Sequence, residues 1–321
     1  MIDDKKIAII VPVFNEQDKI LKVLEGIPNF IDKIYVINDA SNDNSLEVIT
    51  NYSNKDKRVS IFNLQKNIGV GGAITTGYKA VIKNYEDIAV VVAGDGQMDM
   101  SDLQKILSPV IKNKCDYSKG NRFINDLKKI NEIPKHRLIG NFFLSLFTKI
   151  ASGYWNSFDS QCGYTAINRR ALLAVDWDKC YKRFGCPNDY LTKLNISNMR
   201  VCDVPVKPIY GKNWSSKMRV SKVIFPIFFL LIRLFVERIT IKYGGRNGHP
   251  IFLFYFLSIL FLFFCIILFV YILIHFFLTG IIPVISTIFF GINFIIFVIL
   301  ILSSFKMDHD LNYNLYSGYE E

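Results

Sequence analysis

The first hundred residues alternate between short apolar runs and amphipathic stretches. Lys6–Phe14 is an unbroken apolar run rich in β-branched residues, the pattern of a strand buried on both faces. Glu16–Gly26 then places apolar residues at helical spacing and ends on glycine. The alternation continues with a strand at Lys33–Ile37 and a helix at Asp43–Tyr52, then a strand at Arg58–Leu64 and a helix at Val70–Lys83. A fourth strand at Ile88–Ala93 precedes a helix at Ser101–Lys112, for which Ser101 is the expected N-cap. Strands that alternate with helices imply an α/β fold with a mostly parallel sheet covered on both faces.

The C-terminal pattern is different. No Asp, Glu, Lys or Arg occurs from Pro250 to Phe305. Within it, Ile251–Leu278 and Ile281–Phe305 each exceed the roughly 20 apolar residues needed to cross a ~30 Å hydrocarbon core. Thr279, Gly280 and Pro283 mark the turn between them. Neither segment has a polar face, which argues against a hairpin buried in a soluble core. Lys242 and Arg246 precede the first span and Lys306 follows the second, whereas the turn has no basic residue. The positive-inside bias therefore places both ends in the cytoplasm. Between the two patterns, Lys207–Arg246 holds nine Lys and Arg against a single acid, Glu237. Its apolar centre, Val223–Val236, carries Pro226 and Arg233 and suits one or two helices lying along lipid headgroups. A helix packed onto the domain is the other reading of that segment.

Charge sharpens the picture. The net charge is +10, and the tail from Lys306 onward sums to −3, so residues 1–249 carry +13. Such a basic domain calls for an anionic partner. Because the basic residues cluster beside the spans, lipid explains them better than nucleic acid, and no nucleic-acid partner is expected. The six cysteines form no CxxC pair, and one lies in the apolar stretch, so neither a zinc site nor a disulfide framework is indicated. The N-terminal MIDDKKIAIIVPVF runs into polar residues with no small-residue cleavage site and reads as a first strand, not a signal peptide.

The candidate chemistry lies just after the strands. Asn15 and Glu16 follow the first, Asn38 and Asp39 the second, and Asp95, Gln97 and Asp99 the fourth. Ligands of open parallel sheets bind beyond the carboxyl ends of the strands, so these groups should converge on one cleft. Any single one could be a helix cap. The first turn lacks the glycines of a dinucleotide fold, and Gly69, Gly71 and Gly72 lack the lysine and hydroxyl of a P-loop. Those glycines suit close packing of a helix or close approach to a ligand. Carboxylates at strand ends suit Mg2+ or Mn2+ held against a diphosphate, since such ions take oxygen ligands and often only one or two from the protein.

Several of these pieces together resemble the family 2 glycosyltransferases of GT-A fold, and more narrowly the dolichyl- or polyprenyl-phosphate sugar synthases. Val11-Pro12-Val13-Phe14-Asn15-Glu16 is similar to that family's opening motif. Asn38-Asp39-Ala40-Ser41 is similar to its nucleoside element, and Asn67, Gly69, Gly72 and Ala73 to the helix start that follows. Ala93-Gly94-Asp95-Gly96-Gln97 stands where the family has Asp-x-Asp-x-Gln, with Ala93 in place of the first Asp, as Asn38 replaces the first Asp of the nucleoside element. Gly120-Asn121-Arg122 and Asp159-Ser160-Gln161-Cys162-Gly163-Tyr164 complete the likeness, which covers residues 6–250.

The resemblance implies a Rossmann-like GT-A domain at 1–218, interfacial helices at 219–248, two transmembrane helices at 249–306 and an acidic cytoplasmic tail at 307–321. It implies a UDP- or GDP-sugar donor bound by Pro12, Phe14, Asn15, Glu16, Asp39, Gly72 and Gly96. Asp95 and Gln97 would hold the metal, with Asp95 also counted as catalytic. The acceptor would be a polyprenyl phosphate, guided by Arg122, Arg137 and Lys217, with Asp159, Gln161 and Ser216 on the acceptor side. Gly211–Lys217 is similar to a loop that closes over both substrates. A phosphate that is largely dianionic at neutral pH attacks without a general base. That suits a chain whose four histidines (His136, His249, His275 and His309) all lie outside these motifs. The outcome would be inverting transfer of a hexose. Another lipid or polysaccharide acceptor, or a degenerate membrane scaffold, are the competing readings; the Gln-x-x-Arg-Trp motif of processive synthases is absent. The oligomeric state stays open, a homo-oligomer included.

Overall fold

The computed structural model describes residues 4–123, 135–207, 220–244 and 248–318. Two compact units result, one of residues 1–235 with 314–321 and one of residues 236–313.

The first unit is built on an eight-stranded sheet of order β3-β2-β1-β4-β6-β5-β7-β8. Its strands are β1 (Ile7–Val13), β2 (Lys33–Asn38), β3 (Val59–Asn63), β4 (Ile88–Val91), β5 (Tyr117–Asn121), β6 (Thr165–Asn168), β7 (Val201–Pro205) and β8 (Tyr316–Ser317). β1 to β4 pair in parallel, as do β5, β7 and β8. Only β6 runs antiparallel to its neighbours. The carboxyl ends of β1, β2, β4, β5 and β7 therefore share one edge of the sheet with the start of β6.

The continuous apolar runs are explained by burial on both faces. Along β1, Ile7, Ile9, Val11 and Val13 enter one core layer with α1 (Ile20–Glu25) and α4 (Leu103–Ile111). Ala8 and Ile10 enter the other, with α3 (Val70–Lys83). The remaining helices of this unit are α2 (Ser45–Ser53), α5 (Lys135–Ser152), α6 (Arg169–Ala174), α7 (Cys186–Ile196) and most of α8 (Val220–Arg238). The helix α3 approaches β1 so closely that a Cβ on Gly77 would stand 2.4 Å from Ile10 Cγ2. Gly77→Ala is accordingly expected to destabilise the unit by about 1–3 kcal/mol through overpacking, read as a lowered thermal unfolding midpoint in detergent.

Two local expectations need correction. The helix predicted from Ser101 begins as a 3-10 turn, Met100–Asp102, and its cap is Asp99, whose side chain accepts the Ser101 amide. Ser101 is thus the donor, not the cap. Of the segment expected to lie at the interface, residues 220–238 form one helix, α8: Ile227, Leu230, Leu231 and Leu234 are buried with Ala151 of α5, as the packed-helix reading expects, while Phe225, Phe228, Phe229 and Ile232 are exposed. All six cysteines are buried and unpaired.

The second unit contains the two long apolar helices, α9 (Pro250–Thr279) and α10 (Val284–Asn312). Gly280 closes α9 in the left-handed conformation at φ 72°. Their apolar side chains are exposed along most of their length, a surface that only hydrocarbon solvates without cost. The second helix continues past Phe305 because Asp308 and Asn312 are held. Arg238 forms a two-pronged ion pair with Asp308 at 2.7 and 2.9 Å, and the Tyr243 hydroxyl donates to Asp308 at 2.7 Å. Lys242 donates to Asn312 Oδ1 at 2.7 Å. Of the residues expected to form a separate tail, 307–312 extend α10, and Tyr316–Ser317 return to the sheet beside β7.

Candidate active site

At the carboxyl edge of the sheet, the loops after β1 and β2 are stitched together. The amides of Asn15 and Glu16 donate to the hydroxyls of Ser41 and Ser45 at 3.0 and 2.9 Å, and Asn42 N donates to Asn15 Oδ1 at 2.8 Å. Asn15 and Ala40 both sit at φ 55°, a region that a non-glycine residue enters at some cost. Phe14 is exposed, and Pro12, Asn15 and Glu16 are half-buried, so these four of the seven residues expected to bind the donor lie along the edge.

Asp39 is buried, and its two oxygens accept the amides of Ile68 and Gly69 at 2.7 and 2.9 Å. It fixes the start of α3 to the end of β2. Gly69 there has φ 90°, and a Cβ on it would stand 2.5 Å from the Lys182 carbonyl. Gly72, also predicted to meet the donor, is buried, with its amide on that same carbonyl at 3.1 Å. The structure thus gives Asp39 and the glycines at 69 and 72 places in packing and loop support. The departure at Asn38 has a local account: its amide donates to Asn63 Oδ1 at 2.8 Å, and Asn38 Oδ1 accepts the Ser41 amide at 3.4 Å. An amide supplies both donor and acceptor there, which a carboxylate does not.

After β4 the chain makes a tight turn. Asp95 Oδ1 accepts the Gln97 amide at 3.1 Å, and Gly96 takes φ 71°. Asp95 and Gln97 are both half-buried. Asp99 serves as the cap described above, and the hydrogen bonds from Ser101 hold its carboxyl below the usual range. Among the described residues no three His, Cys, Asp or Glu side chains cluster to hold a metal by themselves. The all-oxygen pair of Asp95 and Gln97 nevertheless fits a hard divalent cation whose other ligands come from phosphates and water.

The strongest geometry is at β5 and the segment before β6. Asp159 receives Arg122 three times: backbone N and Nε on Oδ2 at 3.0 and 2.8 Å, and Nη2 on Oδ1 at 2.7 Å. Asp159 is buried and sits at φ 50°. Burial pushes its carboxyl up, but Arg122 and then Lys119 outweigh that and leave it below the ordinary value. Asp159 is therefore the holder of Arg122. Gln161 Nε2 turns to Asn188 Oδ1 of α7 at 2.8 Å and to Ser160 Oγ at 3.1 Å. The turn after β4 meets this segment, since the Tyr164 hydroxyl donates to the Asp99 carbonyl at 3.3 Å.

Beneath the clamp lies a buried ion pair that the sequence patterns did not reveal. Lys119 Nζ is 3.0 Å from Asp203 Oδ1 and also donates to the carbonyls of Phe158 and Asp159. Asp203 further accepts Phe158 N at 2.7 Å, Ser157 Oγ at 3.0 Å and Asn121 Nδ2 at 2.9 Å. A signal was present: a lysine inside YSKGN and an aspartate inside VCDVP are charges that a buried strand tolerates only as partners. Arg137 falls in α5, where side chains 135–142 are outside the described ones. Ser216, Lys217 and the rest of the Gly211–Lys217 loop lie outside the described residues.

The profile of glycosyl transferase family 2 matches residues 8–175, more than half of the chain. The chain belongs to glycosyl transferase family 2. It is 29% identical over 244 residues to the UDP-N-acetylglucosamine–dolichyl-phosphate N-acetylglucosaminyltransferase of Methanococcus voltae, covering 72% of this chain and 96% of that one. It is 27% identical over 231 residues to a dolichyl-phosphate beta-glucosyltransferase of Trichomonas vaginalis, covering 67% and 66%. In fold it is similar to glucosyl-3-phosphoglycerate synthase of Mycobacterium tuberculosis in complex with UDP, with TM-score 0.54 at 12% identity over 76% of this chain and 83% of that one. The same enzyme with Mn2+, UDP and phosphoglyceric acid gives TM-score 0.52 at 12% identity, covering 73% and 78%. The protein is thus a glycosyltransferase whose sheet and helices follow the GT-A arrangement, as the resemblance implied.

Proposed function

We propose that this glycosyltransferase moves a hexose from a nucleoside-diphosphate sugar to a polyprenyl phosphate at the cytoplasmic face of a membrane, with inversion at the anomeric carbon. The observation that carries it is that the Asp95 turn and an arginine clamped by Asp159 lie at the same sheet edge, linked through the hydrogen bond from the Tyr164 hydroxyl to the Asp99 carbonyl. Relatives named for transfer to dolichyl phosphate and the two apolar helices support the same reading.

In this mechanism the loops after β1 and β2 form the donor cradle with Pro12, Phe14, Asn15 and Glu16. Asp95 and Gln97 would hold Mg2+ or Mn2+, which neutralises charge on the leaving diphosphate when bound. A guanidinium has five N–H donors, and Asp159 fixes the plane of Arg122 so that the fork can meet phosphate oxygens in a set direction. A phosphate oxygen of the acceptor forms the new bond to the anomeric carbon as the bond to the donor diphosphate breaks. The electron pair leaves with the nucleoside diphosphate, and a single displacement from the far side inverts the centre. The attacking oxygen is already an anion, so no side chain need take a proton. Arg137 and Lys217 are proposed as further phosphate cations, and Ser216 as part of the acceptor side.

Membrane docking follows from a patch on the first unit. Phe143, Leu146 and Phe147 of α5 are exposed beside Phe225, Phe228, Phe229 and Ile232 of α8, with the rings of Phe147 and Phe228 6.2 Å apart. This face is proposed to sink into the lipid surface, with the basic residues of Lys207–Arg246 at the headgroups.

The test is a panel of nucleotide sugars offered to purified protein with polyprenyl phosphate and Mg2+ or Mn2+. Sugar-lipid product is expected from at least one donor. Transfer to diacylglycerol or polysaccharide, with none to any lipid phosphate, would overturn the acceptor assignment. Chelation by EDTA is expected to abolish turnover and Mn2+ or Mg2+ to restore it; full activity in EDTA would remove the metal from the proposal.

A further inference from the structure

Three cations surround the segment from Ser157 to Asp159, and among the described residues two of them stand in ion pairs. Arg122 is paired with Asp159 and Lys119 with Asp203. The third, Lys149, lies in the last turn of α5. Its Nζ stands 5.0 Å from the centroid of the Phe158 ring, with no carboxylate at ion-pair distance among the described residues. The Phe158 ring in turn meets Phe123 edge-on at 5.9 Å, and Phe123 directly follows Arg122. Lys149 thus flanks the same aromatic pair as the clamped arginine.

The charge count at this place is uneven. Among the described residues the two ion pairs cancel, and one half-buried ammonium remains over. Removing an ammonium from water costs free energy unless an anion or a π face takes the place of solvent. A phenylalanine face compensates only in part. Burial does push the Lys149 ammonium below its ordinary pKa, with Asp203 opposing this and Lys119 adding to it. A site with a surplus positive charge, a rigid floor and an aromatic wall is suited to an oxyanion.

Resting on the transferase reading above, we propose that the Lys149 ammonium binds a phosphate oxygen of a substrate alongside Arg122. The chemistry is shared by two sources, the phosphate of the acceptor lipid and the diphosphate of the donor. Lysine suits the role as a mobile point charge next to a fixed planar fork.

The experiment compares wild-type full-length protein with Lys149→Gln, Lys149→Met and Lys149→Arg in detergent. Binding of a short-chain prenyl phosphate and of uridine and guanosine diphosphates is measured by calorimetry, alongside KM and kcat for transfer. Loss of a charge-assisted contact should weaken one probe about tenfold or more. Lys149→Arg should recover part of it, at an unchanged thermal midpoint. Weaker prenyl phosphate binding assigns the contact to the acceptor, and weaker nucleotide binding assigns it to the donor. The inference is overturned if Lys149→Gln binds both probes as wild-type does. It is also overturned if Lys149→Met, which keeps the packing on Phe158, matches wild-type in both arms, or if wild-type binds neither probe. Wild-type that binds a probe but transfers sugar to no lipid phosphate overturns the transferase reading and leaves the phosphate contact standing.

Discussion

Asp95→Ala is expected to lower sugar transfer about 100- to 1,000-fold, the loss seen when one preorganised electrostatic group is taken from a charge-developing site. Its place favours so large an effect. The turn after β4 points a half-buried carboxylate out of a strand whose neighbours on both sides are paired. The Gln97 amide holds one of its oxygens, and a glycine at φ 71° permits the tight bend. Ala93 contributes no carboxylate, so the negative charge of this motif falls on Asp95; the Ala93 amide is instead directed at Met98 Sδ, 3.2 Å away. Two variants separate charge from shape. Asp95→Asn keeps the hydrogen bond of the turn and loses the charge, and Asp95→Ala loses both. Turnover measured with a competent donor should fall nearly as far in the asparagine variant. A near wild-type asparagine variant would mean that Asp95 only shapes the turn.

The second large effect is on stability. Asp203→Ala leaves Lys119 buried without its carboxylate, and breaking one side of a buried pair typically costs about 3–5 kcal/mol. It also strips partners from Phe158 N, Ser157 Oγ and Asn121 Nδ2. Asp203→Asn is the finer probe, since it keeps the shape and isolates the charge. Pairing Asp203→Leu with Lys119→Met removes both charges and should recover only the part of the thermal midpoint lost to the stranded ammonium, because Phe158 N, Ser157 Oγ and Asn121 Nδ2 still lack their acceptor. Activity should not recover with it. The carbonyls of Phe158 and Asp159 would lose the ammonium that holds them, and Asp159 would lose support for its left-handed backbone. A double variant as active as wild-type would show that the pair serves folding alone.

How much of this was legible in sequence differs along the chain. The helix Val70–Lys83 has the same bounds in pattern and structure, since its apolar face and a glycine start leave no alternative register. β1 and β4 were legible because both faces of a central strand are buried and every residue is apolar, and β2 and the edge strand β3 because short apolar, β-branched runs stand between two helical patterns. β5 and β7 were not, because Lys119, Asn121 and Asp203 break the apolar run. Each is tolerated only because its partner comes from another strand or from the Ser157–Asp159 segment. The cap at Asp99 was misplaced by two residues because Ser101 satisfies the same local rule; which one serves depends on backbone dihedrals that composition does not carry.

At the site itself, the Asp95–Gln97 turn and the Asn15 and Glu16 loop were visible as polar residues after apolar strands. Asp159 and Arg122 were both seen, but not that they pair. Their pairing spans 37 residues and arises from β5 and β6 lying side by side, an arrangement no local periodicity encodes. The same holds for the chain end, where a run of charges after a span reads as a tail until Arg238 and Tyr243 supply the partners that keep it helical.

By itself, the sequence determined the alternating α/β plan, the membership in a transferase family, the pair of long apolar helices and the acidic turn after β4. All of these rest on burial patterns and short motifs written in consecutive residues. Tertiary structure alone decided that Asp39 braces a loop, that Asp159 clamps Arg122 above a buried Lys119–Asp203 pair, and that Lys149 stands against the Phe158 ring with no carboxylate at ion-pair distance among the described residues. A charged group's role is set by what stands within hydrogen-bonding distance, and for these groups the neighbours come from 29 to 84 residues away.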